Sequence, residues 1–206
     1  DGYEEIPAWI MQGYGTMAME AGEQLKEYGC ERPTHIFVQA GVGSLAGAVV
    51  GYFSNLYADN PPTFVVVEAE AAACLYKGAA AGDGAIRIVD GDMETIMAGL
   101  ACGEPNTISW DILKNHVKVF IAAPDWVAAN GMRMLGAPIK GDAPVTSGES
   151  GAAPFGALAA VMTMDEYKDL RNDIGLDASS KVLLFSTEGD TDPDRYKNIV
   201  WKGLDK

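Results

Sequence analysis

Apolar positions along this chain alternate between helical spacing and unbroken short runs. From Pro7 to Glu27 they recur at helical spacing (Ile10, Met11, Tyr14, Met17, Ala18, Ala21, Leu25), which predicts a core-facing helix ended by Gly29. Thr34 to Ala40 is a continuous run rich in β-formers and predicts a strand, and small residues at helical spacing follow over 44–58. Asn60-Pro-Pro62 breaks the chain, and Thr63 to Glu68 predicts a second, fully buried strand. Ala69–Ala81 predicts a helix, Gly82-Asp-Gly84 a turn, and Met93–Leu100 a helix capped by Asp92. Residues 103–110 read as a loop, Trp110–Asn115 as a helix and Val117–Ala122 as a third strand. Pro124 and Asp125 open a helix to about Leu135, with Pro124 near its first position. Residues 136–150 are rich in Gly, Pro and Ser and read as a long functional loop. Helices over Gly151–Met162 and Asp165–Ile174 precede a fourth buried strand, Lys181–Ser186, which ends in Thr187–Asp192.

Strands alternating with helices predict an α/β fold, a mostly parallel twisted sheet with helices on both faces, as one unit over 1–206. Ligands of such sheets bind at the carboxyl ends of the strands. Those ends carry Gly41–Leu45, Glu68, Ala122–Pro124 and Ser186–Asp190.

Composition narrows the partners. The formal charge of −14 argues against nucleic acid and membrane surfaces, and no apolar run is long enough to span a bilayer. Three widely spaced cysteines fit buried free thiols in a reducing, cytoplasmic setting. His35 and His116 have no metal or triad spacing and read as structural. Glu188, Asp190, Asp192 and Asp194 alternate without the spacing of a calcium loop and read as a solvated acidic turn or the neighbour of a monovalent cation, so no metal-ligand set is assigned there. The opening Asp1-Gly-Tyr-Glu-Glu5 reads as part of a longer protein.

The candidate chemistry sits where the first strand meets the second helix. Gly41 and Gly43 let the backbone approach a ligand, and the first N–H groups of the helix point at it. That arrangement grips a phosphate. Gly41-x-Gly43-x-x-Ala46, with Glu68 ending the next strand, also satisfies a dinucleotide fingerprint, so an NAD-binding Rossmann-type oxidoreductase domain is the alternative. The plainer reading is that the glycines only allow tight strand–helix packing and that Glu68 is a structural acid.

Other segments decide against NAD. Ala40-Gly-Val-Gly-Ser-Leu45, Ser147-Gly-Glu-Ser-Gly-Ala-Ala153 and Phe185-Ser-Thr-Glu-Gly-Asp-Thr-Asp192 resemble, in order, three segments of the fold-type II pyridoxal-phosphate (PLP) enzymes, the tryptophan synthase β and serine/threonine dehydratase group. Glu94-Thr-Ile-Met-Ala-Gly-Leu100 is similar to a fourth. Within that group, Trp9-Ile-Met-Gln-Gly-Tyr-Gly-Thr-Met-Ala18, the glycine loop and Leu100-Ala-Cys-Gly-Glu-Pro-Asn106 look like the diaminopropionate ammonia-lyases, over the C-terminal half of their length.

The resemblance implies PLP as cofactor, a small amino-acid substrate and a homodimer. It implies α,β-elimination from 2,3-diaminopropionate to pyruvate and ammonia, with the cofactor ring as electron sink. Gly41, Val42, Gly43, Ser44 and Leu45 would cradle the phosphate through backbone N–H groups, with the Ser44 hydroxyl adding a bond. Ser186 would face the pyridine nitrogen with Thr187 as the other possible partner, and Glu149 would relay a proton. The plainer readings are a turn-capping serine at 186 and a solvated loop carboxylate at 149. None of the ten lysines has the setting of the family's Schiff-base lysine, so this stretch alone is expected to be inactive.

Overall fold

The computed structural model describes residues 4–205, so the opening Asp1 to Tyr3 and the outer ends of the expected 1–206 unit lie outside the described residues. Four strands form one sheet: β1 (His35–Gln39), β2 (Thr63–Ala69), β3 (Val117–Ala123) and β4 (Val182–Leu184), in the order β3-β2-β1-β4. Every pairing is parallel. The helices are α1 (Glu5–Glu27), α2 (Ser44–Leu56), α3 (Cys74–Ala81), α4 (Thr107–His116), α5 (Asp125–Gly136), α6 (Glu149–Thr163), α7 (Lys168–Asp173) and α8 (Pro193–Val200).

Alternate strand residues face opposite layers, as the pleat requires. Phe37, Val65 and Val67 pack with Val127, Met132 and Val161 from α5 and α6. Ile36, Val38, Phe64 and Val66 pack with Val49, Phe53 and Trp110 from α2 and α4. Both faces are covered, which is why β1 and β2 read as unbroken apolar runs. The α/β expectation of a parallel sheet with helices on both faces is met.

Local signals explain several boundaries. Gly29 takes φ 71°, and the N–H of Cys30 bonds to the carbonyl of Leu25, closing α1 in a Schellman turn. Asn106 caps α4, so that helix begins three residues before the expected Trp110. Asp192 caps α8, a helix the apolar pattern did not announce, with Pro193 in its first turn.

Elsewhere tertiary contacts overrode the pattern. The expected helix over 69–81 splits into a 3-10 turn, Glu70–Ala72, and α3, because Glu68 caps a helix that starts only at Cys74. The expected helix 93–100 shrinks to a 3-10 turn at Ala98–Leu100. Its donors go to a neighbouring element instead: Asp125 at the start of α5 accepts from the Thr95 hydroxyl and from the N–H of Ile96 at 3.2 Å. Residues 165–174 likewise divide into a 3-10 turn and the short α7. β4 is three half-buried residues on the sheet edge rather than a buried six-residue strand, since it has a neighbour on one side only. Among the described residues no helix is long and apolar enough to cross a membrane.

Candidate anion-binding cleft

A cleft of about 400 Å³ opens at the carboxyl ends of β1 and β4. The turn after β1 (Gly41–Leu45), the 3-10 turn at Gly99 and Leu100, Ser150 of α6, and Thr187 and Glu188 after β4 converge there. Ile10 and Tyr14 of α1 close one side. Ile10, read from the sequence as core, is exposed.

Gly43 is the N-cap of α2 with φ 98°, where an L side chain is strained. A Cβ there would also lie 3.2 Å from Leu113 and 3.3 Å from Ser109 of α4. Four residues on, a Cβ on Gly47 would meet Ser109 at 2.9 Å. The glycines therefore serve tight packing as well as an open turn. No side chain caps α2, and its first turn holds no acid. Among the described residues the backbone N–H groups from Gly41 through Ala46 donate to no protein acceptor. A run of free donors at a helix start is the arrangement that stabilises an anion.

Two hydroxyls flank this run, and each is held by an amide. Ser44 Oγ accepts from Asn106 Nδ2 at 2.9 Å. Thr187 Oγ1 accepts from Gln39 Nε2 at 2.9 Å. Gln39 is 1 % exposed; its Nε2 also donates to the carbonyl of Phe185, and among the described residues its Oε1 has no partner. Both hydroxyls keep a proton to donate.

The other candidate residues are placed less centrally. The Ser186 hydroxyl donates to Ser147 Oγ at 2.9 Å, and Ser186 lines a separate groove between α1 and β4. Glu149 does not line the cleft: its carboxylate pairs with Arg195 of α8 at 3.1 Å, and burial, helped by Glu188, raises its pKa. The carboxylate at the cleft is Glu188, which accepts from the N–H of Ser150 at 2.8 Å and so caps α6. Ser150 Oγ in turn accepts from the N–H of Gly99 at 3.2 Å.

Glu68 corrects the dinucleotide alternative. It is 1 % exposed, lies outside the cleft, and accepts from the N–H groups of Leu75 at 2.8 Å and Tyr76 at 2.7 Å. A ribose-binding acid must present its oxygens to the ligand; this one spends them on α3. Its role as a structural acid is the one the structure supports. Burial pushes its pKa up to about 7 against those two bonds.

The thiols divide. Cys74 is buried and pushed up to about 12 by burial, hence unreactive, whereas Cys102 is exposed and lines the cleft, contrary to the expectation of three buried thiols. His35 is structural as expected, with Nε2 bonded to the carbonyl of Ile174 at 2.8 Å. Among the described residues no lysine lines the cleft. Gln39, Asn106 and Ser150 were not singled out in the sequence, and Glu188 was noted only within an acidic run that lacks calcium-loop spacing. Asn106, following a proline and preceding a helix, carried a readable cap signal. The other three act across long sequence separations that no local pattern encodes.

Comparison with known proteins identifies the family. The chain matches the family described as pyridoxal-phosphate dependent enzyme over residues 2–183. A curated diaminopropionate ammonia-lyase of Salmonella typhimurium is 56% identical over 203 residues, which is 98% of this chain and 50% of that protein. The crystal structure of diaminopropionate ammonia lyase from Escherichia coli, in complex with an aminoacrylate-PLP azomethine reaction intermediate, matches at TM-score 0.89 and 46% identity, covering 99% of this chain and 51% of that one. Maize serine racemase, at 22% identity, TM-score 0.68, 94% of this chain and 54% of its own, shares the fold. The chain spans about half the length of the curated relatives it matches.

Proposed function

This chain belongs to the pyridoxal-phosphate dependent enzyme family, and we propose that it is the phosphate-binding portion of an ammonia-lyase that eliminates ammonia from 2,3-diaminopropionate to give pyruvate. Its fold is that of the fold-type II members. The observation that carries the reading is the run of free backbone donors from Gly41 through Ala46 at the uncapped, acid-free start of α2. A phosphate monoester needs such donors, so the residues present fit the group.

In this reading the N–H groups of Gly41, Val42, Gly43, Ser44 and Leu45 hold the phosphate, and the Ser44 hydroxyl adds a further bond. Thr187 is the hydroxyl for the ring nitrogen: it lines the cleft with its proton unengaged, whereas Ser186 spends its proton on Ser147. A neutral hydroxyl donates to that nitrogen without forcing its protonation. The bound cofactor supplies an electron sink for the electrons left when the α-proton departs. Ser150 and Glu188 shape the substrate side of the cleft. Glu149, paired with Arg195, stands outside the proton path. The covalent anchor is expected in the remaining half of the protein, because among the described residues no lysine lines the cleft. By itself this portion is inactive.

Identity of 56% and 49% to curated diaminopropionate ammonia-lyases over 98% of this chain supports the substrate assignment. The family resemblance supports a homodimer, and the free cysteines support a cytoplasmic setting. The test is an assay of the full-length protein on 2,3-diaminopropionate, following pyruvate. Pyruvate release that requires added PLP is expected. A protein that neither binds PLP nor forms pyruvate overturns the reading.

A further inference from the structure

Asn106 has a fixed orientation. Its Oδ1 accepts from the N–H groups of Ile108 at 3.0 Å and Ser109 at 3.4 Å. Backbone N–H groups only donate, so the carbonyl oxygen must face α4 and the NH2 must face the other way. That NH2 lies 2.9 Å from Ser44 Oγ and 3.6 Å from Met11 Sδ. An amide NH2 also only donates, so Ser44 Oγ is the acceptor. Ser44 is 8 % exposed, makes no other side-chain bond among the described residues, and lines the cleft beside the free N–H groups. Its single proton has no protein partner. The backbone of Asn106 acts on the same turn: its N–H donates to the carbonyl of Val42 at 2.8 Å. In a trans peptide the carbonyl and the following N–H point in opposite directions, so the N–H of Gly43 is turned away from Asn106.

Resting on the reading that this turn holds the cofactor phosphate, we propose that Asn106 is a positioning residue: it locks the Ser44 hydroxyl as a donor toward the phosphate and holds the Val42–Gly43 peptide in its receptive orientation. One residue thereby couples the cap of α4 to the charge selectivity of the turn before α2. The ligand feature it serves is the phosphate monoester, not the pyridine ring.

The test uses the full-length protein stripped of cofactor, titrated with PLP and with pyridoxal, which lacks the phosphate. Asn106→Ser keeps a neutral acceptor suited to the α4 cap but has no NH2 to donate. Wild type is expected to prefer PLP. Asn106→Ser should weaken PLP about tenfold to a hundredfold, the range of a charge-assisted bond, and leave pyridoxal within about twofold. Ser44→Ala should do the same, and the double variant should bind PLP no more weakly than Ser44→Ala alone. If Asn106→Ser does not fold, Asn106→Asp serves: it retains the cap, and its carboxylate draws the Ser44 proton to itself, so PLP weakens while pyridoxal holds. Equal losses for PLP and pyridoxal, or PLP binding unchanged in Asn106→Ser, overturn the role of Asn106 while the cofactor assignment stands. A wild type indifferent to the phosphate overturns both.

Discussion

Two helices begin at the same cleft, and their first turns have opposite fates. α2 and α6 both follow a glycine N-cap that offers no side-chain acceptor of its own. At α6 the acceptor arrives from elsewhere: the Glu188 carboxylate takes the N–H of Ser150 at 2.8 Å and that of Gly151 at 3.4 Å, and Glu149 adds a second acid to the turn. At α2 no acceptor arrives among the described residues, and the donors from Gly41 through Ala46 stay free. The start of a helix carries roughly half a positive charge in either case. α6 is neutralised from within the chain, whereas the start of α2 keeps its donors free among the described residues. Local sequence alike in its glycine does not decide which; a residue about forty positions away does.

The contrast can be broken most severely by giving α2 what α6 has. Ser44→Asp puts an acid in the first turn of α2, where it competes for the free donors and repels a phosphate. PLP affinity should fall about a hundredfold or more, read by titration of the full-length protein. An unchanged affinity would mean that the anion is not held at α2. Gly43→Ala attacks the turn rather than its charge. Its φ of 98° and the 3.2 Å approach to Leu113 predict a loss of about 2 kcal/mol in urea unfolding.

Removing the acid from the other helix is a milder change. Glu188→Ala leaves the N–H groups of Ser150 and Gly151 uncapped and should cost about 1 kcal/mol, the ordinary worth of a lost cap. Stability equal to wild type would show that α6 does not need its borrowed carboxylate.

The effect at α3, a third helix capped by a distant acid, is a pH dependence rather than a fixed loss. Burial raises the Glu68 pKa from 4.5 to about 7, the amide bonds from Leu75 and Tyr76 opposing it. Across that interval the folded chain keeps a proton that the unfolded chain has released. The contribution to stability is full below the unfolded value and declines as pH rises through the folded one, by at most about 1.4 kcal/mol per pH unit. Denaturation curves should show this decline in wild type between pH 4.5 and about 7, and Glu68→Gln should flatten it.

Much of this was readable before the structure. Apolar runs at 34–40 and 63–68 announced strands buried on both faces, since a two-sided strand has no polar side to alternate. Gly41 and Gly43 announced the turn, because few other residues tolerate the close approach or the positive φ. The 93–100 segment misled because its helical spacing competed with Asp125, whose carboxylate claims the segment's donors from across the fold. Glu149 stands in a motif the sequence made clear, but its partner Arg195, 3.1 Å away, was not legible there.

What the chain determined alone was the periodicity: which stretches are strand or helix, where glycine must stand, and hence a parallel α/β sheet with a turn open at its carboxyl edge. Those features rest on contacts within a few residues, where backbone sterics and spacing govern. Only the tertiary structure decided which helix starts were quenched and which hydroxyls kept a proton to give. Those outcomes depend on Glu68 and Glu188 reaching backbone donors, and on Gln39 and Asn106 reaching Thr187 and Ser44. A hydrogen bond exists only when the fold brings its two ends within about 3 Å.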